Sequence, residues 1–251
     1  MKPVVIISFD HVADPRMCDY TLDILKKANI KPTLYVQSAL VGSKHWRTTV
    51  AQLQTLYDNN WDLGSHSTTH PAMATLTDEE IEYEVRTSDK FLEENNFVTG
   101  RRHFAYPQSS VNKNVINILR NYCDTGRKVT GRTGKQNPVG DEWYTLDCLS
   151  MKAPDPIEKA IDKINEAISK NEVAHIMFEN ICNKDPELVE YQAYHVSKFS
   201  KIVDYIKLKR DEGVIEVMPM SEFYNKRMNI SASVGEAKVE RLNYVGDCIR
   251  S

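Results

Sequence analysis

The sequence has no apolar run long enough to cross a membrane. Its first apolar run, within PVVIIS at residues 3–8, has strand length, whereas a membrane-spanning helix needs about 20 apolar residues. The N-terminus also lacks the longer apolar stretch and small-residue cleavage site of a secretory leader. We therefore expect a cytoplasmic protein, although a chain that had lost its leader would look the same.

The sequence also lacks an excess of either charge. Lys and Arg number 32 against 35 Asp and Glu, for a net charge of −3, so no basic field favours nucleic acid or an anionic membrane as a partner. The five cysteines are scattered and form no CxxC pair, which predicts reduced thiols. The oligomeric state stays open.

Segments typical of strands and helices alternate along the 251 residues. A buried run, VVIIS, precedes an amphipathic helix and a second strand, KPTLYVQS, which predicts a βαβ unit with parallel strands. Thr77 and Glu80 have the spacing of a capping box at the start of a helix. Residues 126–142, rich in glycine and polar side chains, predict a loop. The pattern predicts one α/β domain over residues 1–227 and a C-terminal extension over 228–251.

Polar side chains follow several of the predicted strands. Asp10 and His11 end the first strand, His66 and His70 lie in GSHSTTHP, and Glu179 ends a later one. Active sites of parallel α/β proteins form at the carboxyl ends of strands, and histidines four residues apart can bind one ion. Taken singly, each residue also fits a structural role, such as a helix cap for Asp10.

Four segments together resemble one known family. SFDH at 8–11, HSTTH at 66–70, RHFAYP at 102–107 and HIMFENI at 175–181 are similar, in this order, to the motifs of the polysaccharide deacetylases. That family is also called the NodB-homology family or carbohydrate esterase family 4, and the resemblance runs from residue 3 to about residue 225. It implies a distorted TIM-like (β/α) barrel of seven parallel strands.

The resemblance implies a hydrolase that removes acetyl groups from N- or O-acetylated sugars or polysaccharide with one divalent metal ion, usually Zn²⁺. His66 and His70 would be metal ligands, and Asp10 would be the general base on the attacking water. Arg102 and Tyr106 come from the third motif, where the backbone near Tyr106 would bind the developing oxyanion. Aromatic or rim residues would contact the sugar; our candidates are Pro107, Trp143 and Tyr144, with an exposed position expected for Trp143.

Two positions depart from the family motifs. His11 replaces an aspartate ligand, which predicts three imidazole ligands and a site biased against hard cations such as Mg²⁺. Glu179 replaces the histidine that would protonate the leaving group. A glutamate performs this role only if burial or a nearby carboxylate, such as Asp10, raises its pKa by about 2–3 units.

These departures leave two alternatives to the deacetylase. The barrel could bind a glycan or a protein partner without turnover, or it could hydrolyse another non-peptide C–N bond, such as a cyclic amide. Metal content and turnover of a generic acetyl ester or an acetylated chito-oligosaccharide distinguish these functions. The sequence leaves open which glycan is bound and whether N- or O-acetyl groups are removed.

Overall fold

The computed structural model describes residues 1–11, 15–44, 47–183 and 193–228. The strands are β1 (Val4–Asp10), β2 (Thr33–Val36), β3 (Asp62–Ser65), β4 (His103–Ala105), β5 (Thr125–Val129), β6 (Leu146–Met151), β7 (Val173–Phe178), β8 (Asn180–Cys182), β9 (Ala193–His195) and β10 (Glu216–Val217). The helices are α1 (Pro15–Ala28), α2 (Val50–Asp58), α3 (Asp78–Glu94), α4 (Lys113–Leu119), α5 (Ile157–Lys170), α6 (Val196–Asp211) and α7 (Met220–Arg227).

The first seven strands form a closed barrel. Strands β1 to β7 pair in chain order, all in parallel, and β7 returns to pair with β1. Along one edge, β1 pairs first with the short β10 at Val4 and Val5 and then with β2 at Ser8 to Asp10. The predicted distorted seven-stranded (β/α) barrel is therefore confirmed, and β10 accounts for part of its irregularity.

Successive side chains of each strand point alternately outward, into the core between the strands and the helices, and inward, into the barrel interior. On β1, Val5, Ile7 and Phe9 belong to the main apolar cluster. Phe9 stacks on Trp61 with ring centroids 5.3 Å apart and contacts Phe199 at 5.8 Å. The intervening residues Ser8 and Asp10 point inward, so the same strand both anchors the core and delivers a carboxylate to the interior.

Helix α3 begins at the predicted capping box. The Thr77 N–H donates to Glu80 Oε2 at 2.9 Å, and the Glu80 N–H donates to Thr77 Oγ1 at 3.3 Å. These two bonds satisfy N–H groups that a helix start leaves unpaired. The helix packs against β3 and α4, so its inner face lies behind the strand that leads to the HSTTH segment.

The predicted loop over residues 126–142 is confirmed for residues 130–139 and wrong at its two ends. Strand β5 spans Thr125–Val129, and a 3₁₀ helix spans Gly140–Tyr144. A strand with a glycine and two basic residues lacks the apolar run that marked the other strands, because one of its inward residues is the buried Arg127. Strand β6, which follows, was not predicted either.

Three other expectations concern the rest of the chain. Of the predicted extension 228–251, all but residue 228 lie outside the described residues, so this boundary stays a prediction. Within the described residues, every helix is too short or too polar to cross a bilayer. Cys18, Cys123, Cys148 and Cys182 form no disulfide there, as the spacing predicts.

Candidate functional site

The carboxyl ends of β1, β3, β4 and β7 meet at one end of the barrel. Asp10 ends β1 and is followed by His11, whereas His66 directly follows β3. Tyr106 follows β4, and Glu179 follows β7. Because parallel strands all point the same way, these residues are delivered to one rim, as the sequence predicts.

Three histidines come together at this rim. One ring nitrogen from each of His11, His66 and His70 lies within 4.8 Å of the others. Their ring centroids are 4.5 to 4.7 Å apart. His66 is buried, whereas His11 and His70 are partly exposed, so the cluster opens toward solvent on one side.

Neighbouring carbonyl oxygens orient two of these rings. His66 Nδ1 lies 2.8 Å from the carbonyl oxygen of Ala105, and His11 Nδ1 lies 3.3 Å from Gln37 Oε1. A carbonyl oxygen only accepts hydrogen bonds, so Nδ1 carries the proton in both rings. The lone pair is then on Nε2, which is the arrangement that metal-bound histidines adopt.

The histidine cluster suits a transition metal. Burial lowers the pKa of His66 to about 3 and that of His70 to about 4, with the neighbouring His11 contributing to both, so both rings are neutral at neutral pH. Tetrahedral zinc with bonds of about 2.0–2.1 Å needs ligand nitrogens about 3.4 Å apart. The three ring nitrogens lie within 4.8 Å of one another, so they would have to move closer together to hold the ion.

The backbone at the rim is unusual. Among the described residues, the non-glycine residues with positive φ are four asparagines and five others. The five others are His11, Ser67, His70, Gln108 and Ser109, all at the carboxyl ends of β1, β3 and β4. Asparagine tolerates this conformation, but other side chains are strained in it, and such strain clusters at functional sites.

A buried ion pair lies beneath the histidines. Arg127 Nη2 of β5 donates to Asp10 Oδ1, and both side chains are at most 5% exposed. The other oxygen, Asp10 Oδ2, is 4.0 Å from His66 Nε2. Burial alone would raise the pKa of Asp10, but the charge of Arg127 and its hydrogen bond oppose this effect, and the pKa is lowered. Asp10 is therefore an ionised carboxylate beside the cluster.

Arg127 was missed in the sequence because its segment predicted a loop. Its guanidinium also lies 4.8 Å from the centroid of the Tyr35 ring, and Nη1 donates to Cys148 Sγ at 3.4 Å. A signal for it existed: the helix near residues 113–122 and the next one from 157 had no strand between them. Regular β/α alternation requires a parallel strand there.

Glu179 has the raised pKa that an acid at this position requires. Burial is the largest cause and Asp10 the next, while Lys152 and Arg127 oppose them; the resulting pKa is about 7. One carboxylate oxygen, Oε2, is buried and has no hydrogen-bond partner among the residues that the structure describes. The side chain is thus divided between its acidic and ionised forms at neutral pH.

Tyr106 and Pro107 reach the rim by their backbone only. The Tyr106 N–H donates to the Arg127 carbonyl oxygen at 2.9 Å, so this amide is engaged in the barrel and does not face a substrate. The Tyr106 ring packs in the apolar cluster with Phe104 and Val115. Pro107 begins a 3₁₀ turn whose Gln108 Nε2 lies 3.4 Å from the His70 carbonyl oxygen.

The structure does not bring three of the expected residues to the site. Arg102 precedes β4 at the opposite end of the barrel, where Nε and Nη2 each bond Asp124 at 3.0 Å. Trp143 is 7% exposed and packs on Phe223 and Tyr224, so its expected exposure is wrong.

Tyr144 belongs to the same distant region. Its hydroxyl donates to the Cys123 carbonyl oxygen at 3.1 Å. The segment that carries Trp143 and Tyr144 enters β6 from its amino end, whereas the histidines lie at the carboxyl ends. The loop of glycine and polar residues before Trp143 had indicated a surface position, but α7 covers this end of the barrel and buries the indole.

Residues 1–123 match the family model named polysaccharide deacetylase. The predicted family resemblance is confirmed. No curated protein matches the chain by sequence. The polysaccharide deacetylase match covers β1 to α4 and therefore includes the three histidines and Asp10, but neither Arg127 nor Glu179.

Several solved structures resemble the chain over the whole barrel. A CE4 family pseudoenzyme from Bacillus anthracis has 19% identity and a TM-score of 0.56, over 88% of this chain and 65% of that chain. A second similar structure is the Xyl-CE4 domain of a multidomain xylanase from the hindgut metagenome of Trinervitermes trinervoides. Its sequence identity is 14% and its TM-score 0.57, over 90% of this chain and 92% of that chain. A variant of the peptidoglycan deacetylase PdaC from Bacillus subtilis has a sequence identity of 12% and a TM-score of 0.57, over 96% of this chain and 97% of that chain. At these identities the likeness is one of fold.

Proposed function

We propose that this protein is a metal-dependent deacetylase of acetylated sugars, with one transition metal, most suitably zinc, held by His11, His66 and His70. The observation that carries the proposal is the convergence of these three imidazoles with the ionised Asp10. They stand at the rim of a barrel whose first half matches the polysaccharide deacetylases.

A divalent ion held there would polarise the acetyl carbonyl and acidify the attacking water. The protein's part in the attack falls to Asp10, which accepts the proton of that water. The buried Arg127 keeps Asp10 ionised and fixes its Oδ1, leaving Oδ2 directed at the histidine cluster. A carboxylate within hydrogen-bond reach of the water contributes about 10²–10⁴-fold to the rate of such a reaction.

Glu179 is the residue that we assign to the leaving group. With a pKa of about 7, a large fraction of it carries a proton at neutral pH, and it can donate that proton to the departing oxygen or nitrogen. An alkoxide leaves with modest help from an acid, whereas an amine must be protonated before it leaves. We therefore propose that acetyl esters are cleaved faster than acetamides.

The substrate class is proposed from the family and from its relatives. The family model is that of polysaccharide deacetylases, and the structurally similar proteins include one named as a peptidoglycan deacetylase and one as a domain of a xylanase. These names belong to those proteins. For this chain they support an acetylated glycan as the substrate.

A second function is favoured by one observation. A carboxyl group stands where the motif has histidine, and a barrel of similar fold from Bacillus anthracis is described as a CE4 family pseudoenzyme, a mutant of which has restored enzymatic activity. We propose as the alternative that this protein binds a glycan without turnover.

One set of variants distinguishes the two functions. Wild type, Glu179→Gln and Glu179→His are loaded with zinc and assayed on an acetyl ester and on an N-acetylated chito-oligosaccharide, from about pH 5 to about pH 9. The deacetylase proposal expects ester turnover by the wild type. In Glu179→Gln it expects a loss of about 10²-fold or more on the N-acetylated sugar and a smaller loss on the ester. Activity that arises only in Glu179→His would identify a binding protein instead.

A further inference from the structure

Helix α3 presents two polar side chains to the segment that joins His66 to His70. Glu84 is 5% exposed and Ser88 is fully buried. They are four residues apart in a helix and therefore lie on the same face. Neither belongs to a motif that the sequence analysis identified, and neither takes part in the chemistry proposed above.

The Glu84 carboxylate is surrounded by donors from this segment. Its Oε2 accepts hydrogen bonds from the N–H groups of Thr68 and Thr69, both at 2.8 Å. Its Oε1 accepts one from the Thr69 hydroxyl, and the Thr68 hydroxyl donates to the Glu84 carbonyl oxygen at 3.0 Å. Successive backbone N–H groups that point at one anion form a nest, and here the anion is part of the protein.

Ser88 begins a chain of hydrogen bonds that ends at a ligand. The Ser65 hydroxyl donates to Ser88 Oγ at 2.8 Å, and Ser65 Oγ accepts from the Ser67 N–H at 3.3 Å. Ser67 Oγ in turn accepts from the His70 N–H at 3.0 Å. The backbone of His70 is thus tied through three serines to α3.

These contacts hold a backbone that is unfavourable by itself. Ser67 has a φ of 62° and His70 a φ of 69°. The left-handed conformation costs about 1–2 kcal/mol for each residue other than glycine, and it persists only where the surroundings impose it. The contacts from α3 act on the residues between and beside the two strained positions.

We propose that Glu84 is a positioning residue that holds His66 and His70 in ligand geometry before a metal binds, and that Ser88 assists it. The proposal rests on the proposed function, because it assumes that these histidines bind a metal. The Glu84 carboxylate bonds the Thr68 and Thr69 amides and is not one of the three groups that converge as possible ligands, so it acts through the backbone.

The first experiment needs no metal. Amide hydrogen exchange is measured on the metal-free full-length chain for wild type, Glu84→Ala and Glu84→Gln. The matched control is Glu94→Ala on the same helix, whose carboxylate is 63% exposed. We expect the Thr68 and Thr69 amides to exchange at least about tenfold faster in Glu84→Ala and to be unchanged in Glu94→Ala. Equal protection in wild type and Glu84→Ala would overturn the proposal.

The second experiment measures zinc affinity by competition with a chromophoric chelator, together with the Co²⁺ absorption spectrum. Partners of metal ligands typically contribute about 10–100-fold to affinity, and we expect a loss of this size in Glu84→Ala. A smaller loss is expected in Glu84→Gln, since an amide oxygen still accepts from Thr68 and Thr69, and in Ser88→Ala. A purely structural role would lower the stability of the metal-free protein and leave the affinity of the folded fraction unchanged.

The outcomes separate this inference from the proposed function. Tight zinc binding by both wild type and Glu84→Ala would overturn the role of Glu84 and leave the metal site intact. No binding by wild type would overturn the metal site, and the role of Glu84 with it, whatever the exchange data show for the loop. If Glu84→Ala does not fold, unchanged affinity in both Glu84→Gln and Ser88→Ala would overturn the proposal.

Discussion

Arg127 bonds Asp10 across the interior of the barrel, although 117 residues separate them in the chain. The pair joins β5 to the end of β1, and it leaves one oxygen of Asp10 facing the histidines. Arg127 therefore connects the stability of the barrel to the ionisation of the proposed base. Both charges are buried, so neither tolerates the loss of the other.

Replacing Arg127 with methionine should destabilise the protein strongly. The substitution leaves the Asp10 carboxylate buried without its partner, and breaking a buried pair in this way costs about 3–5 kcal/mol. Urea denaturation gives the change in the free energy of unfolding. The double variant Arg127→Met/Asp10→Asn should lose less stability than the two single variants lose in sum, because the two charges interact.

The surface pair of Arg102 and Asp124 is the matched control. Arg102 also makes a two-pronged contact with an aspartate, but its side chain is 49% exposed. Exposed ion pairs contribute about 0–1 kcal/mol, so Arg102→Met should change stability little. A loss for Arg127→Met as small as that for Arg102→Met would contradict the role given to the buried pair.

Several elements of the fold and part of the candidate site could be predicted from local sequence patterns. The buried β1 run, the capping box at Thr77 and the histidine pair in HSTTH each follow from short-range spacing, whereas the seven-stranded barrel was expected from the family resemblance. Arg127 could not be found in this way, since its meaning depends on Asp10. A buried arginine in a strand looks like a loop residue until its distant partner is known.

The misplaced residues have a related cause. Arg102 was assigned to the site by its position in a motif, but β4 is only three residues long. The arginine before it consequently lies at the other end of the barrel. Trp143 was expected at the surface because a glycine-rich segment precedes it, and the helix that covers it, α7, lies about 80 residues later in the chain.

Metal binding should depend on the histidines and not on Asp10. We expect one zinc ion per chain in the wild type, loss of that ion in His66→Ala, and retention in Asp10→Asn with turnover reduced by about 10²–10⁴-fold. Metal analysis after dialysis, with and without a chelator, tests this. Loss of zinc in Asp10→Asn would make Asp10 a ligand instead of a base.

Changing His11 should alter the choice of metal. Three imidazoles favour zinc and other borderline metals, whereas a carboxylate favours harder cations. His11→Asp should therefore raise the affinity for Mn²⁺ relative to that for Zn²⁺, which competition titrations measure. An unchanged ratio would indicate that His11 does not contact the ion.

Glu179 should make the protein less stable as the pH rises from about 4.5 to about 7. Its pKa is about 7 in the folded protein against an ordinary value of 4.5. As the pH rises, Glu179 therefore ionises in the unfolded chain before it ionises in the folded protein. This favours the unfolded chain, so the free energy of unfolding falls across that interval. Glu179→Gln should lack this decline, so its stability relative to wild type should increase with pH until about neutrality. Glu94→Gln, an exposed change, should run parallel to wild type; a parallel curve for Glu179→Gln would contradict the raised pKa.

Gln108 tests whether the rim backbone is strained. It has a φ of 53° and is exposed, and its side chain donates a long hydrogen bond of 3.4 Å to the His70 carbonyl oxygen. Glycine adopts this conformation freely, so Gln108→Gly should raise the free energy of unfolding by up to about 1 kcal/mol. The same substitution at Gln54, inside α2, should lower it by about 1 kcal/mol. Denaturant titrations of both variants show whether the free energy of unfolding rises or falls in each. If both substitutions are equally destabilising, the left-handed positions around the histidines store no strain, and the contacts from α3 would have little to hold in place.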